Sequence, residues 1–435
     1  MELVPSFALL LQGLSASMTS PTFDSLTTVF AGWLFAGRRT ITRMILAAGD
    51  VAGKHFSSYH RLFSAARWSL DHLGLAVFDF VLPWLDEIIM LALDDTLARK
   101  RGLKVFGAGM HHDPLLSTRK TAVMNWGHSW VVLGVLVEFP FRADRYFCLP
   151  ILFRLYLNQG AAQRARRVYR TRPALAVEML SVLCQHGKSR RFHVVADSLY
   201  GGKSVLWHLP SNCDLTSRLH GDARLYDRPP IRKPGTNGRP RKRGAKLPTP
   251  RQMLQGRCRQ IELNLYGRHD RVRLAETQAV WHADANRTLR IVAVEPQSGG
   301  RTVQAFYSTC ARATAEQVLA WYARRWAIEQ TFQESKSHLG FEQPQGWSRR
   351  AVERTAPLAM LLYSLIVLWF ADHGHHRWQA PLRAWYRSKR DPAFADMLDT
   401  LRQQMLRKTV STLGLRGPGS RKVVHTLQQV ASLAA

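Results

Sequence analysis

The stretch Trp321 to Gly340, WYARRWAIEQTFQESKSHLG, constrains this chain more tightly than any other. Read as a helix, it puts Tyr322, Glu329 and Lys336 on one line, because a seven-residue step drifts by only about 20°. Arg325 lies one turn before Glu329, within about 40° of that line. Beside the polar row, Trp321, Ile328, Phe332 and Leu339 make an apolar stripe. The spacing predicts one continuous amphipathic helix that packs by one face and carries a Tyr-Arg-Glu-Lys row along its edge. A solvated face would also accommodate such charges. However, Arg before Glu is the less favourable i,i+4 order, so helix stabilisation alone does not account for the row.

The rest of the chain narrows the partner. Sixty-one Lys and Arg face 31 Asp and Glu, a net charge of +30. A field of that sign and size suits a polyphosphate, with an acidic membrane surface as the alternative. The apolar content is that of a globular protein long enough for two or three domains. Cys148, Cys184, Cys213, Cys258 and Cys310 are scattered, odd in number and lack a C-x-x-C, which argues for a reducing, cytoplasmic setting and against a disulfide framework or zinc ribbon. The apolar patch Phe7 to Leu11 has no basic residue before it, unlike a secretory signal. Pro357 to Phe370 is the most hydrophobic run but is too short for a membrane span, so a buried core helix is expected and no membrane partner.

In chain order, residues 1–80 read as helical. TFDSLTTVFAGWLFAGRRTITRMILAAG suits a helix-turn-helix with Arg38, Arg39 and Arg43 exposed, and HFSSYHRLFSAARWSL mixes Tyr59, His60, Arg61, Arg67 and Trp68. By periodicity this region fits a plain bundle with a basic outer face as well as it fits a DNA-contacting one. From Glu87 the pattern turns to strands: EIIMLALDDT, then after a Gly-rich turn (GAGMHHD) WVVLGVLVEF and YFCLPILFRLYL, the last two a hairpin about the turn ADR. A basic loop (QRARRVYRTR), a helix (PALAVEMLSVLCQHG) and a strand (RFHVVADSLYGG) follow. Arg228 to Ile261 contains no acid and is dominated by Pro, Gly, Lys and Arg, which reads as an arm carrying Arg241, Lys242 and Arg243. Strand-like QIELNLYG, RVRLAETQAVWH and TLRIVAVEP come next. Beyond Gly374 the chain reads as a basic helical tail, including APLRAWYRSKR and FADMLDTLRQQMLRK.

The row fits the pattern Y-x2-R-x3-E-x6-K and so resembles the signature of the Y-R-E-K (IS-four-like) group of bacterial insertion-sequence DDE transposases. The resemblance covers the chain from about Glu87 to Phe370. It implies an α/β, RNase H-like core, a mixed sheet flanked by helices, with a β-rich insertion before the third carboxylate and an N-terminal helical domain that binds transposon ends. The implied division is a DNA-binding region 1–80, core 81–215, basic arm and insertion 216–308, core 309–372 and tail 373–435. Glu329 takes the place of the third catalytic carboxylate. Asp197, at the end of HVVAD, takes the second, where ligands of open sheets collect. LALDDT offers Asp94 and Asp95 for the first. Only one of two strand neighbours points at a site, and the resembling family places its aspartate before Thr, which selects Asp95.

Three carboxylates suit Mg2+ or Mn2+, hard ions that take oxygen ligands, and a pair of ions about 4 Å apart serves in-line phosphoryl transfer. The expected metal ligands are thus Asp95, Asp197 and Glu329. Tyr322, Arg325, Lys336, Arg241, Lys242 and Arg243 are the expected DNA contacts. The implied activity is metal-dependent cleavage at transposon ends and transfer of 3′-OH ends into target DNA, by a homodimer on double-stranded DNA. The alternatives are a DNA nuclease that does not join strands and a silent DNA-binding derivative. Other motifs carry less. HHD at 111–113 and DHGHH at 372–376 complete no zinc site and read as solvated histidines. Gly201-Gly202-Lys203 lacks the spacing of a phosphate loop. Trp281 is expected in the core rather than stacked on an unpaired base.

Overall fold

The structure, a computed structural model, describes residues 2–113, 116–118, 120–231, 238, 241–256, 258–265, 268–297, 302–380, 389–412, 422–423 and 426. The chain begins with helices α1 (Pro5–Gln12), α2 (Ser20–Phe35), α3 (Ile41–Ala48), α4 (Phe56–Ser64) and α5 (Leu70–Val81). Strands β1 (Ile88–Arg99), β2 (Gly109–His112), β3 (Met124–Phe139) and β4 (Arg142–Tyr156) follow, then α6 (Gln159–Arg164), α7 (Arg172–His186), β5 (Arg191–Ala196), α8 (Lys203–Leu206) and β6 (Cys213–Leu219). Next come β7 (Leu225–Tyr226), β8 (Lys246–Leu247), α9 (Pro250–Met253), β9 (Arg259–Leu265), β10 (Arg268–Trp281), β11 (Asp284–Pro296) and β12 (Gln304–Ser308). Helices α10 (Ala315–Arg324), α11 (Trp326–Leu339), α12 (Arg349–Trp369) and α13 (Phe394–Thr412) complete the chain. By internal contacts it forms two units: Met1–Leu85, Asp95–Arg170 and Glu329–Ala435 in one, Asp86–Asp94 and Thr171–Ile328 in the other.

The first unit is built around α12. Its run AMLLYSLIVLW is buried on every side, as expected for a core helix. By length and composition Arg349–Gly374 would cross a membrane, but 94% of its apolar window is buried inside the protein. The Ser364 hydroxyl donates to the carbonyl of Pro150 in β4 (3.0 Å), and Arg354 donates to the carbonyls of Leu62, Phe63 and Trp68 with its guanidinium over the Trp68 ring. Tyr59 and Trp68 are therefore core residues, not the DNA-facing aromatics of a basic helix; Arg61 and Arg67 remain exposed. Helices α2 and α3 cross closely at Gly32, where any Cβ would meet the Met44 carbonyl at 1.7 Å. The β3–β4 hairpin is present, but its turn is Pro140-Phe141, since Phe139 pairs with Arg142; ADR lies inside β4. The HHD segment, expected in a turn, holds β2 paired to β3, and both His111 and Asp113 are buried rather than solvated.

In the second unit the apolar first half of β1 runs parallel to β5, with Ile88 opposite Arg191 through Leu93 opposite Ala196. Strand β5 is parallel to β6, and β6 is antiparallel to β12. From there β12, β11 and β10 pair in antiparallel order, β10 also meeting β9 and β7. The sequence did not mark CDLTSRL as a strand, yet it is β6, onto which the β-rich stretch folds back through β12. The arm carries β8, which pairs with β7 just before it; 232–237, 239–240 and 257 fall outside the described residues, as does most of APLRAWYRSKR. Helix α10 covers the sheet through Val318, Leu319 and Tyr322 against Val292, Val294 and Phe306. The parallel strands, the long hairpin and the flanking helices make a mixed α/β, RNase H-like fold.

Candidate active site

The β1–β5 register fixes the first part of the site. It ends at Leu93 opposite Ala196, so Asp94, midway along β1, follows the paired stretch, and Asp197 follows the last residue of β5. Asp197 has left the strand, and a turn rather than the pleat sets its direction. Its Oδ1 accepts from the backbone N–H of Leu199 (2.9 Å) and Tyr200 (3.4 Å), and its carbonyl accepts from the Ser217 hydroxyl (2.8 Å). Among the described residues its Oδ2 accepts nothing. The loop behind it is pinned by Tyr307, whose hydroxyl donates to the Gly201 carbonyl (2.6 Å). A Cβ at Gly201 would lie 2.3 Å from Ser217 Oγ. Close packing, not a phosphate cradle, explains this glycine.

The long helix expected from Trp321 to Gly340 is interrupted. Arg325 ends α10, and α11 starts at Trp326. Short-range bonds tighten the chain there, Arg325 N–H to Tyr322 O at 3.1 Å and Ile328 N–H to Arg325 O at 3.0 Å. The Arg325 guanidinium forms an ion pair with Asp94, both side chains being 14% exposed, and lies 5.7 Å from the centre of the Tyr322 ring. Tyr322 is itself buried against Phe306, 4.7 Å between ring centres. In this structure Tyr322 braces Arg325 from the core side. Because successive strand side chains face opposite ways, the Asp94–Arg325 pair leaves Asp95 on the other face of β1.

Glu329 and Lys336 belong to the first unit, on a helix fixed at several points. Thr331 Oγ1 donates to the Cys148 carbonyl in β4 (2.8 Å), and Arg145 donates to the Gln330 side chain (2.5 Å). Ile328, Phe332 and Leu339, the expected stripe, are buried. The last carbonyls of α11 are capped from the N-terminal helices: Trp33 Nε1 donates to Leu339 O (2.9 Å) and Arg39 donates to His338 O (2.7 Å). Arg39 is thus buried, with burial bringing its pKa down to about 10, whereas Arg38 and Arg43 are exposed as expected. Glu334 pairs with His338 at 3.2 Å. Of the arm residues, Arg241 and Lys242 are exposed, while Arg243 donates to the His282 carbonyl (2.8 Å) with its guanidinium over Tyr226. Trp281 is partly buried beside Tyr307.

Two residues take places here that the sequence reading did not give them: Asp94 pairs with Arg325, and Arg39 caps α11. Asp94 has a signal, the acidic doublet, of which one member must face away from a shared site. Arg39 has none, since the Arg-Arg pair looks alike on both sides of the turn. A hard divalent ion suits the oxygen-only donors at Asp95, Asp197 and Glu329. Among the described residues, however, no three His, Cys, Asp or Glu side chains gather closely enough to enclose a metal ion. Asp197 lies in one unit, Asp95 and Glu329 in the other.

Acidic residues directly after the paired stretches of two parallel strands in an RNase H-like sheet are compatible with a phosphoryl-transfer nuclease of the DDE type. The chain belongs to the DDE superfamily endonuclease family, whose model matches residues 13–287. Asp95 and Asp197 lie within the match, and Glu329 lies beyond it. The family makes DNA the substrate and endonucleolytic cleavage the reaction class, and enzymes of this type use divalent metal. A comparison with curated proteins finds no match.

Proposed function

We propose that this protein is an insertion-sequence transposase that cuts DNA at the ends of its element and joins the freed 3′-OH ends to target DNA. The observation that supports this reading best is that the Asp94-Asp95 doublet directly follows the stretch of β1 paired with β5, as Asp197 directly follows β5, in a chain that also carries the Y-R-E-K row. Asp95, Asp197 and Glu329 are the residues that would hold Mg2+ or Mn2+, as a pair of ions. Bound metal supplies Lewis-acid activation of the attacking oxygen and charge for the leaving one.

The chain's own residues do the rest. Arg325 and Lys336 hold phosphates on either side of the scissile bond, and the bidentate guanidinium sets the strand's direction. Tyr322 steadies Arg325, and Arg241, Lys242 and Arg243 follow the backbone further out. A homodimer would bring two ends together. The test uses duplexes carrying the inverted repeats that flank the coding region. Wild type cleaves them and joins precut 3′-OH ends to a plasmid; Glu329→Gln binds them but does neither. Cleavage near the wild-type rate by Glu329→Gln removes Glu329 from the site. Cutting without joining reduces the protein to a nuclease.

A further inference from the structure

Lys336 sits in the last turn of α11, where a cation suits the helix dipole. Gly340, at φ +64°, reverses the chain just beyond it. Phe341 N–H bonds to Ser335 O (3.1 Å) and Gln343 N–H to Gly340 O (2.9 Å), folding the next residues back along the helix. This brings the Glu342 carboxylate to 3.9 Å from Lys336 Nζ. Glu342 is held from the end of β1 as well. Its Oε1 accepts from the Arg99 backbone N–H (3.2 Å), and its carbonyl accepts from Lys100 Nζ (2.8 Å), which also reaches Pro344 O (3.1 Å).

We propose that Glu342 is a positioning residue for the DNA-contacting lysine of the row, keeping Lys336 charged and aimed until a DNA phosphate takes its place. The inference rests on the transposase reading of Lys336. An ammonium withdrawn from water tends to lose its proton. Burial lowers the Lys336 pKa, Glu342 raises it, Arg99 lowers it and Asp113 raises it. Arg99 is in turn held by Asp113, with Nε at 2.9 Å and a terminal nitrogen at 2.8 Å from one carboxylate oxygen, and Asn125 donates to the same oxygen (2.8 Å). Asp113 is therefore occupied by Arg99, and among the described residues Glu342 is the carboxylate that pairs with the lysine. Lys100, which Glu342 also faces, shows what burial does to a lysine here: it brings the pKa down to about 8 against the raising effect of Glu342. A positioned, charged Lys336 can exchange one anion for another without being reoriented.

The test reads Lys336 directly. The rate of acetylation at Lys336, followed by mass spectrometry across pH in the full-length protein without DNA, gives its midpoint. Glu342→Gln retains an acceptor for the Arg99 N–H but removes the charge. It is expected to move the midpoint down by about one pH unit, the size of shift a neighbouring opposite charge produces. In nicking of supercoiled plasmid with Mg2+, the alkaline limb should move down by the same amount. In a Lys336→Arg background Glu342→Gln should move nothing, because a guanidinium stays charged throughout. An unchanged Lys336 midpoint in folded Glu342→Gln overturns the proposal, as does a limb that shifts equally with Arg at 336. If Glu342→Gln does not fold, Glu342→Asp should give a smaller shift of the same sign, and no shift overturns the proposal. Glu329→Gln, run in parallel, separates the two readings. Nicking that survives it sinks the transposase assignment, while the acetylation profile still reports on Glu342.

Discussion

Arg325 is the residue on which the structure and a DNA-only account of the row divide most clearly. Its ion pair with Asp94 is well sheltered, each side chain 14% exposed. Removing one partner of a buried pair costs about 3–5 kcal/mol, because the other charge is left in poor solvent. With some solvent access here, about 3 kcal/mol is expected for Arg325→Ala. Loss of the guanidinium from the Tyr322 ring adds about 0.5 kcal/mol. A melting temperature lower by roughly 7–14 °C follows for a unit of this size. Asp94→Asn should cost less, since an amide still accepts from the guanidinium. The double mutant should show a coupling of about 1–3 kcal/mol. The assay is thermal and urea unfolding of wild type, both single mutants and the double mutant, with DNA affinity measured on the same samples. Additive effects on stability, with affinity lost in Arg325→Ala alone, would show that the pairing with Asp94 has no energetic weight and that Arg325 serves DNA only.

Two further outcomes follow from the charges described. Replacing Arg241 and Lys242 by Ala should flatten the slope of log affinity against log salt by about 0.9 for each phosphate that the arm no longer neutralises; an unchanged slope, measured by titration of a labelled duplex, would place the arm away from DNA. His193, buried with its Nε2 2.8 Å from Thr216 Oγ1, is held by burial at about 4, and His128, likewise buried, at about 3. Both folded values lie below the ordinary 6.5, so the unfolded chain takes the proton first. The stability due to neutral His193 is complete above about 6.5 and is lost as pH falls toward 4, by about 3 kcal/mol. A melting temperature that stays flat from pH 7 to 4 would refute this.

What the sequence reveals depends on whether burial or pairing decides a feature. Apolar runs announce the buried halves of β1, β3, β4 and β5 and the core helix α12, because a period or an unbroken run of large side chains has few other uses. The end of HVVAD gives Asp197 for the same reason. The break at Arg325 is hidden, since both flanking segments have helical spacing and a one-residue irregularity leaves the period almost intact. Strand β6 is hidden because CDLTSRL alternates weakly and contains Asp, Ser and Arg. The burial of Tyr59, Trp68 and Arg39 is also illegible. Basic and aromatic letters in a helix describe a nucleic-acid face and a capped core equally well until Arg354 and the α11 carbonyls are placed beside them.

The cations of the row therefore do not wait for DNA as solvated charges. Arg325 rests on Asp94, and Lys336 lies beside Glu342. On the proposed reading, a phosphate arriving at either one replaces a carboxylate, so the gain in binding is the difference between two ion pairs rather than a whole one. Such an exchange adds little affinity but holds the donors at fixed places, and a misplaced strand meets carboxylates that have not been displaced. Affinity must then come from charges that are exposed, such as Arg38, Arg43, Arg61, Arg67, Arg241 and Lys242, in a protein whose net charge is +30. Long-range attraction and local geometry are thereby assigned to different residues. Salt should weaken the first strongly and the second hardly at all, because the Debye length at physiological ionic strength, about 8 Å, screens exposed charges and leaves sheltered pairs largely untouched.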